Sequence, residues 1–121
     1  MSKILLYPAS LLFCFCFFIQ SMNSQNWQEY EKLMIESFKS GNDHKAIEYG
    51  EKAIALLKDN DPGKVNYGAV LNNLAYVYVE IKDYEKAEKA YLEVLDIIGP
   101  ALGNKHRIYA RTINYLGEIY L

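Results

Sequence analysis

The chain has 121 residues, which leaves room for one small domain. Its 13 basic and 15 acidic residues give a formal net charge of −2, so the sequence lacks the basic surface of nucleic-acid-binding proteins and the polybasic patch that binds anionic membranes. Hydrophobic residues make up 51% of the chain, but many of them lie in the first twenty residues, so the domain itself is less apolar than this figure indicates.

Residues 1–24 have the pattern of a secretory signal peptide. A single charge, Lys3, precedes a nearly unbroken apolar run, and small or polar residues follow that run. We expect cleavage after Ser24, with Ser21 as the alternative position. Export to the periplasm or out of the cell would follow from such cleavage.

An uncleaved membrane anchor is the alternative to a signal peptide. The apolar run is shorter than the ~20 residues that a spanning helix needs, and Pro8 interrupts it. Each cysteine in this segment follows a phenylalanine, which is bulkier than the residue that lipoprotein processing prefers. We therefore favour cleavage and expect a mature protein without a membrane attachment.

Residues 25–60 predict a first helical hairpin. Gly41 suits a left-handed position at the end of the first helix, and Asn42 or Asp43 can cap the second helix, which is expected to run to about residue 58. Gly50 inside that helix costs ~1 kcal/mol relative to alanine, so it indicates either close packing or a tolerated weak point. The first helix carries an apolar stripe formed by Trp27, Tyr30, Leu33, Met34 and Phe38.

Residues 64–100 predict a second hairpin. In its first helix, apolar residues at i, i+3, i+4 and i+7 share one face, and these are Leu71, Leu74, Ala75 and Tyr78. A second stripe follows Asp83, and Gly99-Pro100 is expected to stop or kink this helix because proline removes a backbone hydrogen bond. A third helix is predicted over residues 106–121, without an antiparallel mate.

A shift of 42 positions aligns the second hairpin with the last helix. The matched pairs are Tyr67 with Tyr109, Leu71 with Ile113, Asn72 with Asn114, Leu74 with Leu116 and Tyr78 with Tyr120. Because so many size-matched pairs are improbable without internal repetition, the sequence predicts a repeat protein. The expected fold is all-α, with antiparallel helix hairpins stacked in about two and a half repeats over residues 25–60, 64–100 and, incompletely, 106–121.

Small residues, tyrosines and alanines recur at fixed positions of these repeats. The small residue is Ala75 or Gly117, the tyrosine is Tyr78 or Tyr120, and the alanine is Ala46 or Ala87. This arrangement resembles the tetratricopeptide repeat family, although the period of about 42 exceeds the usual ~34 and is similar to the variant of kinesin light chains. The departures from the pattern are Met34 and Ser37 in the first repeat, Pro100 inside a helix, and Arg107 where that variant has proline.

The resemblance implies a right-handed α-solenoid whose first helices line a concave groove for a peptide or partner protein. The groove residues that it implies are Asn72, Asn73, Tyr76, Val79, Arg111, Asn114, Glu118 and Leu121. Amide side chains can donate to and accept from a peptide backbone, and tyrosine combines apolar area with a polar tip. The alternative for Asn72 and Asn73 is that they solvate a helix face or bond to the neighbouring repeat. The recurring tyrosines outside the groove are expected to pack, with their hydroxyls reaching solvent.

The sequence carries no catalytic signature, since it has no Gly-rich phosphate loop, no HExxH and no nucleophile elbow. Neither His44 nor His106 has further ligands at metal-binding spacing, so no metal and no cofactor are expected. We predict a non-catalytic interaction scaffold. The alternative is the N-terminal regulatory or sensor arm of a longer exported bacterial enzyme or signalling protein, such as a peptidase or histidine kinase. The uncapped apolar last helix favours a longer protein, or self-association through that helix.

Overall fold

A computed structural model describes residues 26–121, and the predicted signal peptide lies outside these residues. The described part of the chain forms five α-helices and no strand, with a 3₁₀ turn at Pro62–Lys64 between the second and third helices. The helices are α1 Trp27–Lys39, α2 Asp43–Leu57, α3 Val65–Glu80, α4 Tyr84–Leu102 and α5 Arg107–Tyr120. The all-α prediction is therefore confirmed. None of these helices combines the length and the hydropathy that crossing a bilayer requires.

The turns inside the two complete hairpins repeat each other. In each turn one residue has a left-handed backbone, Gly41 with φ of 81° and Lys82 with φ of 65°. The next residue, Asn42 or Asp83, caps the second helix, because its side-chain oxygen accepts the backbone N–H three residues later at 3.2 or 3.3 Å. A left-handed lysine is unfavourable by ~1–2 kcal/mol, so the packing of the hairpin outweighs a local cost at Lys82.

The second helix of the second hairpin is longer than the sequence indicated. Helix α4 continues through Pro100 to Leu102, so of the two expected outcomes, a stop or a kink at Gly99-Pro100, the stop does not occur. Proline lies in the last turn, where the missing N–H removes only one intrahelical bond. The helix ends at Gly103, whose φ of 88° is left-handed and whose N–H donates to the Gly99 carbonyl at 2.9 Å.

The helices are stacked in chain order, so that α2 packs on both α1 and α3, and α4 packs on both α3 and α5. Small residues allow this close approach. A Cβ atom on Gly50 would lie 2.7 Å from both Leu74 Cδ1 and Met34 Sδ, so close packing explains the glycine inside α2. The alanines at the contacts are fully buried, namely Ala46, Ala53, Ala75 and Ala87.

Tyrosine hydroxyls connect the helices through carboxylates. Tyr78 of α3 donates to Glu51 of α2 at 3.0 Å, and Tyr67 of α3 donates to Glu93 of α4 at 2.7 Å. Burial, followed by the bond to Glu93, raises the pKa of Tyr67 to about 12. The expectation that the hydroxyls of Tyr67 and Tyr78 reach solvent is therefore wrong. Each hydroxyl instead donates to a glutamate carboxylate on a neighbouring helix.

A buried polar contact joins the second hairpin to α5. The Thr112 hydroxyl, on a side chain with no exposed surface, donates to Asn72 Oδ1 at 2.8 Å and also lies 2.8 Å from the Ile108 carbonyl. Asn72 is only 3% exposed. Since a buried polar group must be paired, this contact favours one alignment of α5 against α3.

The substitution Thr112→Val should destabilise the chain by about 1–2 kcal/mol, because it keeps the volume but leaves the Asn72 amide buried without its partner. Urea unfolding followed by circular dichroism measures the change. Tyr120→Phe is the matched control, since it also deletes a hydroxyl but from an exposed bond to Glu88, and it should leave stability unchanged. Equal effects of the two substitutions would contradict this assignment.

Candidate functional site

The first helices of the three repeats, α1, α3 and α5, together line a cavity of about 270 Å³. Its walls are mainly apolar and aromatic, as expected for a surface that accepts an apolar group. The lining residues are Met34, Ile35, Phe38 and Lys39 of α1, Asn73, Tyr76 and Val77 of α3, and Arg111 and Tyr115 of α5.

An aromatic row crosses this cavity from α1 to α5. The ring centroids of Phe38 and Tyr76 are 5.7 Å apart with an edge-on geometry, and those of Tyr76 and Tyr115 are 5.5 Å apart. Behind the row, Tyr115 stacks on Tyr91 of α4 with centroids 5.4 Å apart and ring planes at 23°. Such spacings are favourable for aromatic pairs, so the rings support one another and form a continuous apolar surface.

The charged residues that line the cavity are both cations. Lys39 lies in the last turn of α1, and the Arg111 guanidinium lies over the Tyr115 ring at 6.0 Å. Acidic groups lie nearby on the same helices. The pKa of Tyr76 is raised, first by the charge of Glu80, then by burial, and also by Tyr115 and Glu118. The cavity therefore combines an apolar floor with charges of both signs around it.

Asn73 connects α3 to α1 at the edge of the cavity. Its Nδ2 donates to Glu31 Oε1 at 3.4 Å, and the two residues are 42 positions apart in the chain. Partial burial raises the pKa of the Glu31 carboxyl, and the bond from Asn73 acts in the opposite direction. The amide is thus partly used to hold two helices of the wall together.

Three of the residues predicted for the groove, Asn73, Tyr76 and Arg111, line the cavity together. Glu118 is exposed on α5, outside the lining but close enough to act on Tyr76. Their role in binding stays a prediction.

Asn72 does not face the groove, and that prediction is corrected. It is 3% exposed and bonds to Thr112, because its position on α3 points to the neighbouring helix. The alternative that it bonds to the next repeat is the right one. Asn114, which corresponds to Asn72 after a shift of 42, is exposed on α5 but lies outside the cavity lining. Val79 packs partly buried against the core, and Leu121 is exposed beyond the end of α5.

The sequence interpretation missed the α1 side of the cavity and Tyr115. A shift of 42 positions relates Glu31 to Asn73 and Asn73 to Tyr115. Because Asn73 was predicted to line the groove, the repeat period could have indicated Tyr115 as well. The contribution of α1 was harder to find. Its repeat pattern is weak, with Met34 at the small position, and Met34 instead forms part of the cavity floor.

The remaining candidate residues have structural roles or no described contact. His106 caps α5, since its Nδ1 accepts the backbone N–H of Ile108 at 3.2 Å. His44 is exposed in the first turn of α2. Within residues 26–121, no three His, Cys, Asp or Glu side chains are arranged so that they could hold a metal ion.

Comparison with known protein families finds a match over part of the chain. Residues 66–121, which contain nearly all of α3 and the whole of α4 and α5, match the model of the tetratricopeptide repeat family. No curated protein and no solved structure matches the chain. Tetratricopeptide repeats generally mediate protein–protein interactions, and the family is generally non-catalytic. Residues 26–121 thus form an all-α helical repeat solenoid, in which residues 66–121 are similar to tetratricopeptide repeats.

Proposed function

We propose that the chain is a non-catalytic scaffold that binds an extended segment of a partner protein along α1, α3 and α5. The observation that carries this proposal is the aromatic row of Phe38, Tyr76 and Tyr115, which crosses three consecutive first helices at the cavity. A surface built from three repeats is long enough for several residues of a peptide. Tyrosine rings suit such a surface because they provide contact area at little cost in conformational entropy.

The chemistry of the cavity favours a peptide with an apolar side chain. Its volume of about 270 Å³ lies slightly below the ~300 Å³ at which most small-ligand pockets begin, so one side chain fits it better than a cofactor does. Asn73 and Arg111, at its edges, can hydrogen-bond to backbone carbonyls beside that side chain. This division between an apolar anchor and polar neighbours is typical of peptide recognition.

We also infer that the repeats belong to the longer variant of about 42 residues, as in kinesin light chains. Contacts between equivalent helices support this period. Glu31 and Asn73 are 42 positions apart, and Asn72 and Thr112 are 40 positions apart. The hairpin turns at Gly41 and Lys82 are separated by a similar number of residues.

Ile35→Glu should weaken the binding of a peptide ligand at least tenfold, because it places a charge on the apolar wall that the ligand covers. Suitable ligands are obtained by selecting a phage-displayed library of random linear peptides on the purified chain, and fluorescence anisotropy then measures their affinity. Ile35 is 38% exposed, so the substitution leaves the core intact.

Leu92→Glu is the matched control for that measurement. Leu92 is 44% exposed on α4 and does not line the cavity, so its substitution should leave the affinity unchanged. Failure to select any peptide, or equal losses in the two variants, would contradict a binding site on this wall.

We propose that binding takes place outside the cytoplasm, after export of the chain. The support is the sequence of residues 1–24, with Lys3 before an apolar run and small residues after it. N-terminal sequencing of the exported product should begin at Gln25. A product that retains Met1 and stays with the membrane fraction would favour the uncleaved anchor instead.

A second observation favours self-association through α5. The residues that correspond to Leu71, Ala75 and Tyr78 of α3 are far more exposed on α5. Leu71 is 6% exposed against 45% for Ile113, and Tyr78 is 7% exposed against 64% for Tyr120. We propose that a second copy of the chain covers this face. The alternative, that the chain is the regulatory or sensor arm of a longer exported peptidase or histidine kinase, stays a prediction.

The mass of the purified chain in static light scattering should therefore rise with concentration, and Ile113→Glu should abolish that rise because it places a charge in the contact. Leu56→Glu, which also changes an exposed aliphatic side chain to an acid, should have no effect. A monomeric mass at all concentrations would disprove self-association.

A further inference from the structure

The hydroxyl of Tyr91 is buried without a hydrogen-bond partner. Tyr91 lies on α4 with no exposed surface, and its Oη bonds to no atom of residues 26–121. The hydroxyls of Tyr67 and Tyr78 are also partly buried, but each donates to a glutamate. Because nearly all buried polar groups in folded proteins are paired, an unpaired hydroxyl calls for an explanation.

The position of Tyr91 relates this hydroxyl to the groove. Its ring stacks on Tyr115, and the Tyr115 ring is a wall of the cavity, so Tyr91 lies one ring behind the groove surface. Burial is the main cause that raises the pKa of Tyr91. The side chains that act on it further are Tyr115, Glu118 and Tyr76, which raise it, and Arg111, which lowers it. All four lie on α3 and α5, so the hydroxyl lies on the groove side of α4.

Tyr115 is the side chain that separates Tyr91 from the cavity. It is half-buried, and within the described chain its hydroxyl makes no hydrogen bond. Its ring is positioned by Tyr76, Tyr91 and Arg111 through aromatic and cation–π contacts. Rotation of Tyr115 therefore breaks no hydrogen bond, and an apolar side chain of a ligand can replace the ring contacts that it loses.

We propose that Tyr91 is a concealed hydrogen-bond donor of the groove, and that a bound peptide displaces the Tyr115 ring and places a backbone carbonyl oxygen on the Tyr91 hydroxyl. This inference rests on the proposed peptide-binding function. A neutral carbonyl fits the position better than a carboxylate, because the position is buried and Glu118 lies nearby. The unpaired hydroxyl is then a feature of the free protein only, and ligand binding pairs it.

Tyr91→Phe tests this inference, because it removes only the hydroxyl. In the free chain the urea midpoint should be unchanged or higher, since an unpaired group is deleted. The affinity for a peptide selected on the chain should fall about five- to tenfold, the loss typical of one hydrogen bond. Tyr67→Phe is the matched control, because it deletes a paired hydroxyl outside the cavity lining. It should lower the urea midpoint and leave the affinity unchanged.

Two results would overturn the inference. An unchanged peptide affinity in Tyr91→Phe would show that the ligand does not reach the hydroxyl, and a lower urea midpoint like that of Tyr67→Phe would show that the hydroxyl is already paired in the free chain. Ile35→Glu separates this failure from a failure of the proposed function. If Ile35→Glu weakens binding and Tyr91→Phe does not, only the role of Tyr91 is disproved. If neither weakens binding, or no peptide is selected, both proposals fall.

Discussion

Helix α2 packs so closely against two first helices, α1 and α3, that this contact sets how the helices are arranged. At Gly50, Met34 of α1 and Leu74 of α3 both come so near that an added Cβ would lie 2.7 Å from each. Gly68 on α3 permits a similar close approach inside the second hairpin, since a Cβ there would lie 2.9 Å from Ile98 of α4. Because the second helices fit so tightly behind them, the first helices lie side by side and present one surface. The Met34 side chain packs at Gly50 and also lines the cavity, so one side chain both holds the helices together and forms part of the candidate site.

Polar contacts between the repeats add specificity to this packing. Apolar helix faces tolerate sliding by a turn, whereas a buried amide or hydroxyl stabilises only the alignment in which it is paired. Asn72 and Thr112 provide such a contact between α3 and α5, and Tyr78 and Glu51 provide one between α3 and α2. Tyr91 is different, because its buried hydroxyl stabilises no alignment of the free chain. For this reason we assign the hydrogen bond of the Tyr91 hydroxyl to the complex with a peptide.

The sequence predicted the helices and their order well, since local signals determine them. Asn42 and Asp83 cap helices by contacts with residues three positions away, and the apolar stripes depend on helical spacing alone. Side-chain direction was harder to predict. Asn72 and Asn73 are neighbours in sequence, yet a rotation of about 100° around the helix places one in the α5 interface and the other at the cavity.

The part of the site contributed by α1 could not be predicted from the repeat pattern. Ile35, Phe38 and Lys39 lie in the least regular repeat, in which Met34 occupies the position of the small residue and Ser37 that of the tyrosine. Tyr91 illustrates a further limit. Its helical spacing predicts a core residue, which is right, but whether its hydroxyl is paired depends on three helices that meet in space. Such facts are set by tertiary packing rather than by local sequence.

We expect α1, α3 and α5 to act as one binding surface. Titration of the ¹⁵N-labelled chain with a selected peptide, followed by two-dimensional NMR, shows whether they do. The amide signals of Phe38, Tyr76 and Tyr115 should then shift together at one peptide concentration, while those of Leu56 on α2 and of Tyr84 at the start of α4 stay in place. Shifts confined to α2 and α4, or to a single first helix, would contradict the account.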